Sequence, residues 1–201
     1  MTISRKIFLI PFLTVFLLLV LDAFLISRLD EVPSIYQKSQ SLPFPEFRTK
    51  DLHGNTVTHE IFQGKFSIVC LWVTQDATTS RELLESLSSW KNACPKPFQL
   101  IGIVGDLRDT EPPEKLAVAQ EIVGDCPEDV PHLLANDDME GFLRRIHNAP
   151  TVCFVNEHGE LVGQPVVGNE PGLIRKEAER LMEMDSLQNE IARKIQNSLF
   201  H

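Results

Sequence analysis

Four cysteines are the residues of this 201-residue chain whose side chains are best suited to redox chemistry. No two of them form the C-x-x-C pair of a dithiol catalyst, because they stand at Cys70, Cys94, Cys126 and Cys153. Cys94 and Cys126 each follow a predicted helix in a polar loop, and the two loops should lie at one end of the predicted sheet. The sequence therefore allows a structural disulfide between them, which would stabilise the fold by about 3–4 kcal/mol. Two free thiols are the alternative.

Cys70 and Cys153 have a different setting, since both lie inside apolar runs typical of buried strands. A buried cysteine behaves as a small hydrophobic side chain, which is the simplest interpretation. Because the two strands should be neighbours, the alternative is a cross-strand disulfide. Such a bond is usually strained and would act as a labile redox switch.

The spacing of the other residues gives little support for metal binding or phosphate binding. The six histidines have no metal-ligand spacing among themselves or with the cysteines. The acidic run from Asp106 to Glu111 and the pair Asp137-Asp138 are typical of helix caps and solvated loops, and no glycine-rich phosphate loop is present. The sequence therefore predicts neither a metal site nor a cofactor. Its formal net charge of −9 argues against a nucleic-acid partner, because phosphate repels an acidic domain.

Strands and helices alternate along the chain, which indicates an α/β fold. A short hairpin is predicted at 47–49 and 56–58, around the turn sequence Asp51-Leu52-His53-Gly54-Asn55. Apolar runs predict strands at 66–73, 98–104, 132–135, 151–155 and 161–167, and amphipathic patterns predict helices at 80–92, 112–123, 138–147 and 170–184.

Three stretches carry a resemblance to a known group of proteins. Phe44-Pro45-Glu46-Phe47 precedes the turn at 51–55, Trp72-x-Thr74 ends the first buried strand, and Ala149-Pro150-Thr151 precedes a closing hairpin at 154–162. In this order they resemble the TlpA/ResA-like membrane-anchored thioredoxin-fold proteins of the redoxin and AhpC/TSA group, over residues 43–184. The resemblance implies a thioredoxin-like three-layer α/β/α sandwich with an N-terminal β-hairpin, preceded by one transmembrane helix.

The resemblance also implies where a redox pair would stand. This group exchanges disulfides through a C-x-x-C pair at the N-terminus of the first helix, where the helix dipole lowers the pKa of the nucleophilic thiol. The matching positions here are Asp76 and Thr79, and neither side chain can attack or resolve a disulfide. A peroxiredoxin needs a cysteine near the same helix start, so that activity is excluded as well. Asp76 either caps the helix or presents a carboxylate to a partner or a metal.

Ala149, Pro150 and Thr151 form the candidate peptide groove. In the group, the matching proline is cis and faces the redox pair, and the backbone before it stays available to an extended polypeptide. Because the cysteines are missing here, Pro150 either has a structural role or still marks a site at which a peptide binds by edge pairing.

The N-terminus predicts a membrane anchor. Arg5 and Lys6 precede an apolar run at 7–26, which as a helix would be about 30 Å long and would match a hydrocarbon core. The run is long for a secretory signal and has no small-x-small cleavage site at its exit, so we expect an uncleaved signal-anchor. The two basic residues should stay cytoplasmic, and the rest of the chain beyond the span should face outward.

The predicted organisation has five parts. They are a cytoplasmic N-terminus at 1–6, the transmembrane signal-anchor at 7–26, a linker at 27–42, the thioredoxin-like domain at 43–184 and a C-terminal amphipathic helix at 185–201. In the last part, apolar residues recur every four positions, and they either pack on the domain or bind a partner or a second copy. These residues are Leu187, Ile191, Ile195 and Leu199.

The sequence leaves two alternative functions open. The first is a membrane-anchored, outward-facing binding or assembly module that lacks dithiol–disulfide exchange and contacts an exported protein or peptide. The alternative is a thiol–disulfide oxidoreductase that uses non-standard cysteines, either Cys94 with Cys126 or Cys70 with Cys153.

Overall fold

The computed structural model describes residues 42–124, 126–127 and 129–199. The predicted span at 7–26 lies outside these residues, as does the predicted linker up to residue 41. Among the helices that are described, none is both long and apolar enough to cross a membrane.

A mixed sheet forms the centre of the described part. The strands are β1 (Leu42–Pro43), β2 (Arg48–Lys50), β3 (Thr56–Thr58), β4 (Ser67–Trp72), β5 (Gln99–Arg108), β6 (His132–Ala135), β7 (Thr151–Val155) and β8 (Glu160–Val167). Six of them form the sheet in the order β1-β8-β7-β4-β5-β6, and β2 with β3 forms a separate hairpin. Strands β4, β5 and β6 run parallel, whereas β7, β8 and β1 pair antiparallel with their neighbours.

Strand β4 shows why this sequence folds as it does. All six of its residues are buried, because β4 has a strand on either side and a packed layer on either face. A strand in this position needs apolar side chains on both faces, which explains the unbroken apolar run predicted at 66–73.

Three of the four described helices cover one face of the sheet. The helices are α1 (Ala77–Ala93), α2 (Pro113–Ile122), α3 (Glu140–Leu143) and α4 (Pro171–Leu199). Helices α1, α2 and α4 contribute buried side chains to a single core cluster on that face, among them Leu83, Leu87, Ala119, Ile174 and Ala178. The cluster fixes the position of α1, whose N-terminus matters below.

Shorter elements cover the opposite face. The hairpin β2–β3, a 3-10 turn at His59–Phe62 and α3 pack there, and the ring of Phe44 lies 4.7 Å from the rings of both Phe62 and Phe142. The helix predicted at 138–147 is much shorter in the structure, where α3 spans only Glu140–Leu143. Beyond Leu143 the backbone continues in 3-10 hydrogen bonds, with Ile146 N–H donating to the Leu143 carbonyl at 3.0 Å.

Helix α4 is longer than predicted. Its 29 residues run without interruption past the boundary placed between 184 and 185, so the C-terminal amphipathic segment continues the last domain helix. Leu187 and Ile191 are 58% and 57% exposed. These two residues of the predicted apolar stripe therefore do not pack on the domain.

Candidate functional site

The two positions that match the redox pair are joined by a helix cap. The chain leaves β4, makes a 3-10 turn at Thr74–Asp76 and enters α1 at Ala77. Asp76 is the N-cap residue, and its Oδ1 accepts a hydrogen bond from the backbone N–H of Thr79 at 3.3 Å. The Asp76 carboxylate thus satisfies a donor at the helix start, where a catalyst of this group would place its thiolate.

A second carboxylate, Asp106, lies at the same end of the sheet. It accepts hydrogen bonds from the backbone N–H and the hydroxyl of Thr74, at 2.8 and 2.7 Å, and from the N–H of Gln75 at 3.2 Å. The sequence analysis missed this role, because it assigned the run from Asp106 to Glu111 to helix caps and solvated loops. Strand β5 in fact continues to Arg108, so Asp106 stands beside the end of β4. The sequence signal was its position two residues after the predicted apolar strand at 98–104.

Pro150 lies at this end of the sheet as well. Strand β7 pairs with β4 so that Thr151 is opposite Leu71, which puts Pro150 near the end of β4 and the turn before α1. The Ala149–Pro150 peptide bond is cis, and Pro150 itself is buried. The sequence-predicted residues Asp76, Thr79 and Pro150 therefore gather at one end of the molecule.

The backbone around Pro150 is only partly used. The Pro150 carbonyl accepts a hydrogen bond from Gly168 N–H at 2.8 Å, and the Thr151 hydroxyl donates to the Asn148 carbonyl at 2.6 Å. The backbone N–H and carbonyl of Ala149 have no hydrogen-bond partner among the described residues. These two groups are available to an incoming extended chain.

Cys70 and Cys153 do not form a pair. The register places Cys70 opposite Val152, and Val69 opposite Cys153. Because successive side chains alternate between the faces of a sheet, the two thiols point to opposite faces and belong to different core clusters. The alternative of a cross-strand disulfide is therefore wrong, and both cysteines are buried in the core, as the simplest interpretation of the sequence had it.

Burial also makes these two thiols unreactive. It raises the pKa of Cys70 far above its ordinary value, with smaller contributions from Cys126 and Cys153. Burial raises the pKa of Cys153 to about 11. Both thiols are protonated at neutral pH, whereas the nucleophile in disulfide exchange is the thiolate.

Cys94 and Cys126 lie at the other end of the sheet from Asp76. Cys94 follows α1 and Cys126 follows α2, and both pack half-buried against the same core cluster. Cys94 is a free thiol, so the disulfide that the sequence allows between these two residues is not formed in this structure. Across the described residues, no group of three or more His, Cys, Asp or Glu side chains is placed to hold a metal ion.

Known proteins match this chain in structure and not in sequence. No protein-family model matches it, and a search of curated proteins finds no relative. DsbF of MTB, solved in mixed oxidized and reduced forms, is 19% identical with a TM-score of 0.54, covering 70% of this chain and 99% of its own. Yeast Sco1 with copper bound is 20% identical with a TM-score of 0.54, covering 71% and 93%. A putative thiol:disulfide interchange protein DsbE from Chlorobium tepidum is 14% identical with a TM-score of 0.53, covering 71% and 95%. At these identities, the matches establish a thioredoxin-like α/β fold.

Proposed function

We propose that this chain is a membrane-anchored, outward-facing binding or assembly module of thioredoxin-like fold that does not exchange disulfides. The observation that carries this proposal is the hydrogen bond between Asp76 and Thr79. The two positions at which the TlpA/ResA-like group keeps its redox cysteines form a helix cap in this chain.

The remaining cysteines do not replace the missing pair. All four cysteines of the chain lie within the described residues. Cys70 and Cys153 are in the middle of buried strands with raised pKa values, and Cys94 and Cys126 lie at the opposite end of the sheet. A substrate disulfide bound beside Pro150 would therefore find no thiolate within reach.

The surface beside Pro150 supports a binding role. The backbone N–H and carbonyl of Ala149, which have no partner within the described part of the chain, provide one donor and one acceptor for an extended peptide, as in β-strand addition. We propose that an exported protein or peptide binds there. The module would then hold its partner through backbone hydrogen bonds, with no covalent intermediate.

The anchor is a proposal that rests on the sequence. The apolar run at 7–26 has the length of a membrane span, and Arg5 and Lys6 precede it. If it anchors the chain, alkaline extraction of membranes should leave the full-length protein in the pellet. Release into the supernatant would contradict the anchoring.

Disulfide reduction by the full chain tests the functional proposal. We expect the protein to reduce insulin no faster than the dithiothreitol background. The double variant Asp76→Cys, Thr79→Cys is the matched positive control, because it restores C-x-x-C at the start of α1. Activity of the unmodified protein that is lost on alkylation would refute the proposal. Loss of that activity in Cys94→Ser would then identify the alternative oxidoreductase and its cysteine.

A further inference from the structure

The turn at 51–55 covers one edge of the central sheet. Strand β6 ends the six-stranded sheet, and the turn lies along its outer side. The Leu52 N–H donates to the His132 carbonyl at 2.9 Å, and Asp51 forms an isolated bridge with Leu133. The Leu52 side chain is buried in the core cluster to which α1, α2 and α4 contribute. The turn therefore shields the edge of β6 from solvent.

The turn is closed on itself and is tied to the rest of the fold by hydrogen bonds to β6 and α2. Within the turn, the Asp51 carboxylate accepts hydrogen bonds from the backbone N–H of His53 at 2.9 Å and from that of Asn55 at 2.8 Å. On the side of α2, the Gln120 side chain donates to the Leu52 carbonyl at 2.8 Å. A segment built in this way can leave the sheet as a unit while its internal bonds stay intact.

A buried histidine lies directly behind the turn. His132 pairs with Gly102 of β5 on its inner side and with the turn on its outer side. Its Nδ1 lies close to the point where a β-carbon of Gly102 would stand, so the imidazole leans inward over the glycine. Both ring nitrogens are buried and have no hydrogen-bond partner within the described residues. A protonated imidazole would have to donate from both nitrogens, and its described neighbours supply no acceptor.

The groups that act on His132 favour its neutral form. Burial has the largest effect and lowers the pKa of His132 to about 4; His53 of the turn lowers it as well, whereas the Asp51 carboxylate raises it. Cys70 stands in the same row of the sheet, two strands away, and burial raises the pKa of its thiol, which therefore carries no charge at neutral pH. Gln120, through which α2 reaches the turn, is neutral. His132 is therefore uncharged as long as the turn is closed.

We propose that the turn at 51–55 is a pH-sensitive latch, which opens when His132 is protonated and uncovers the edge of β6. Opening gives the imidazolium access to water from the outer side of β6 while the other strands stay paired. An uncovered edge presents unpaired backbone N–H and carbonyl groups, which are a template for pairing with another strand. The latch does not involve the surface beside Pro150, so it is independent of the proposed function.

The direction and the size of the effect follow from linkage. In the open form His132 is hydrated and has its ordinary pKa of 6.5, whereas in the closed form the pKa is about 4. The open form therefore binds more protons between these values, and the preference for the closed form is lost as the pH falls from 6.5 towards 4. Between pH 7 and pH 5 the opening equilibrium should rise roughly twentyfold.

Amide hydrogen exchange of the full chain in detergent, measured by mass spectrometry at pH 7 and pH 5, tests the latch. The amides of Leu52 and Gly54 report opening of the turn, because they are bonded to the His132 and Asp51 carbonyls. The amides of β4 report global unfolding. After correction for the pH dependence of intrinsic exchange, we expect the opening equilibrium of the turn to rise roughly twentyfold at pH 5. It should exceed that of β4 by at least about tenfold at both pH values.

Two pairs of variants assign the response. His132→Leu should remove the pH dependence at the turn, whereas His147→Leu, which changes an exposed histidine, should keep it. Gln120→Ala removes the hydrogen bond to the Leu52 carbonyl, so it should raise the opening of the turn about fivefold at pH 7 and leave exchange in β4 unchanged. Gln63→Ala is its matched control, since Gln63 is an exposed glutamine outside the turn.

Three results would overturn the proposal. The first is an opening equilibrium at the turn that equals that of β4, because opening would then be global unfolding. The second is a pH dependence at the turn that His132→Leu retains. The third is opening of the turn that Gln63→Ala raises as much as Gln120→Ala does. The first comparison uses the unmodified protein, so it decides the matter even if His132→Leu does not fold.

Discussion

Lowering the pH from 7 to 5 should destabilise this protein through one buried side chain, His132. The side chain lies on β6, is 3% exposed and meets the ring of Trp72 edge to face, with centroids 5.7 Å apart. Neither ring nitrogen of His132 has a hydrogen-bond partner within the described residues. Burial, and to a smaller extent the nearby His53, lower the pKa of His132 to about 4 against the opposing effect of Asp51.

The sign and the size of the effect follow from linkage. The ordinary pKa of histidine, 6.5, applies to the unfolded chain, so between pH 6.5 and 4 the unfolded chain binds more protons than the folded one. The contribution of neutral His132 to the stability of the fold is fully present above pH 6.5 and is lost as the pH falls towards 4. Between pH 7 and pH 5 the loss is about 2 kcal/mol, since one pKa unit corresponds to about 1.4 kcal/mol.

Urea unfolding at pH 7 and pH 5 measures the effect. The full chain and the variants His132→Leu and His147→Leu are compared, because His147 is an exposed histidine and serves as the matched control. We expect the unmodified protein and His147→Leu to lose about 2 kcal/mol more than His132→Leu on acidification. An equal loss in all three proteins would show that His132 is not the responsible group, and the reasoning from its burial would fail.

Three further predictions concern the core and the helix cap. A methyl group on Gly102 would come within 2.2 Å of His132 Nδ1, so Gly102→Ala should lower the free energy of unfolding by about 1–3 kcal/mol in urea; an unchanged midpoint would contradict the close contact. Asp76→Ala should cost about 1 kcal/mol in the same assay, because the N–H of Thr79 loses its acceptor; Asp76→Asn, which keeps a capping oxygen, should recover most of the loss, and equal stability of both variants would argue against capping. Iodoacetamide at pH 8 should leave Cys70 and Cys153 unlabelled in the folded protein and should label both in urea, as measured by mass spectrometry; rapid labelling of either in the folded protein would contradict its burial.

The buried strands and their succession along the chain could be predicted, because an unbroken apolar run is a strong signal for a buried strand. Strand β6 begins and ends where predicted, and so does β7, since each is a short run of buried side chains between turns. The cluster of Asp76, Thr79 and Pro150 at one end of the sheet was also accessible, through the resemblance to thioredoxin-fold proteins. A continuous apolar pattern and a recognisable order of motifs are both properties of the sequence itself.

The features that were missed depend on register and on tertiary contact. The sequence indicated that the strands of Cys70 and Cys153 are neighbours, but a one-residue difference in register decides which face each thiol occupies. The polar residues at the end of β5 concealed its length, because the bonds that hold Asp106 come from Thr74 and Gln75 on another segment. Local pattern carries no information on such distant partners.

Helix α4 is held to the domain more firmly in its first half than in its second half, and the two halves should therefore differ in their dynamics. Its 29 residues extend over about 43 Å, yet among the side chains that the structure describes the core contacts end at Leu181 and Met182. Beyond them, the hydrogen bond from the Asn189 side chain to Glu157 ties the helix to the domain. Isolated helices of about 12–15 residues are marginal in water. Amide hydrogen exchange should therefore quicken along α4 from Ile174 towards its end, since the later turns can open without disturbing the core.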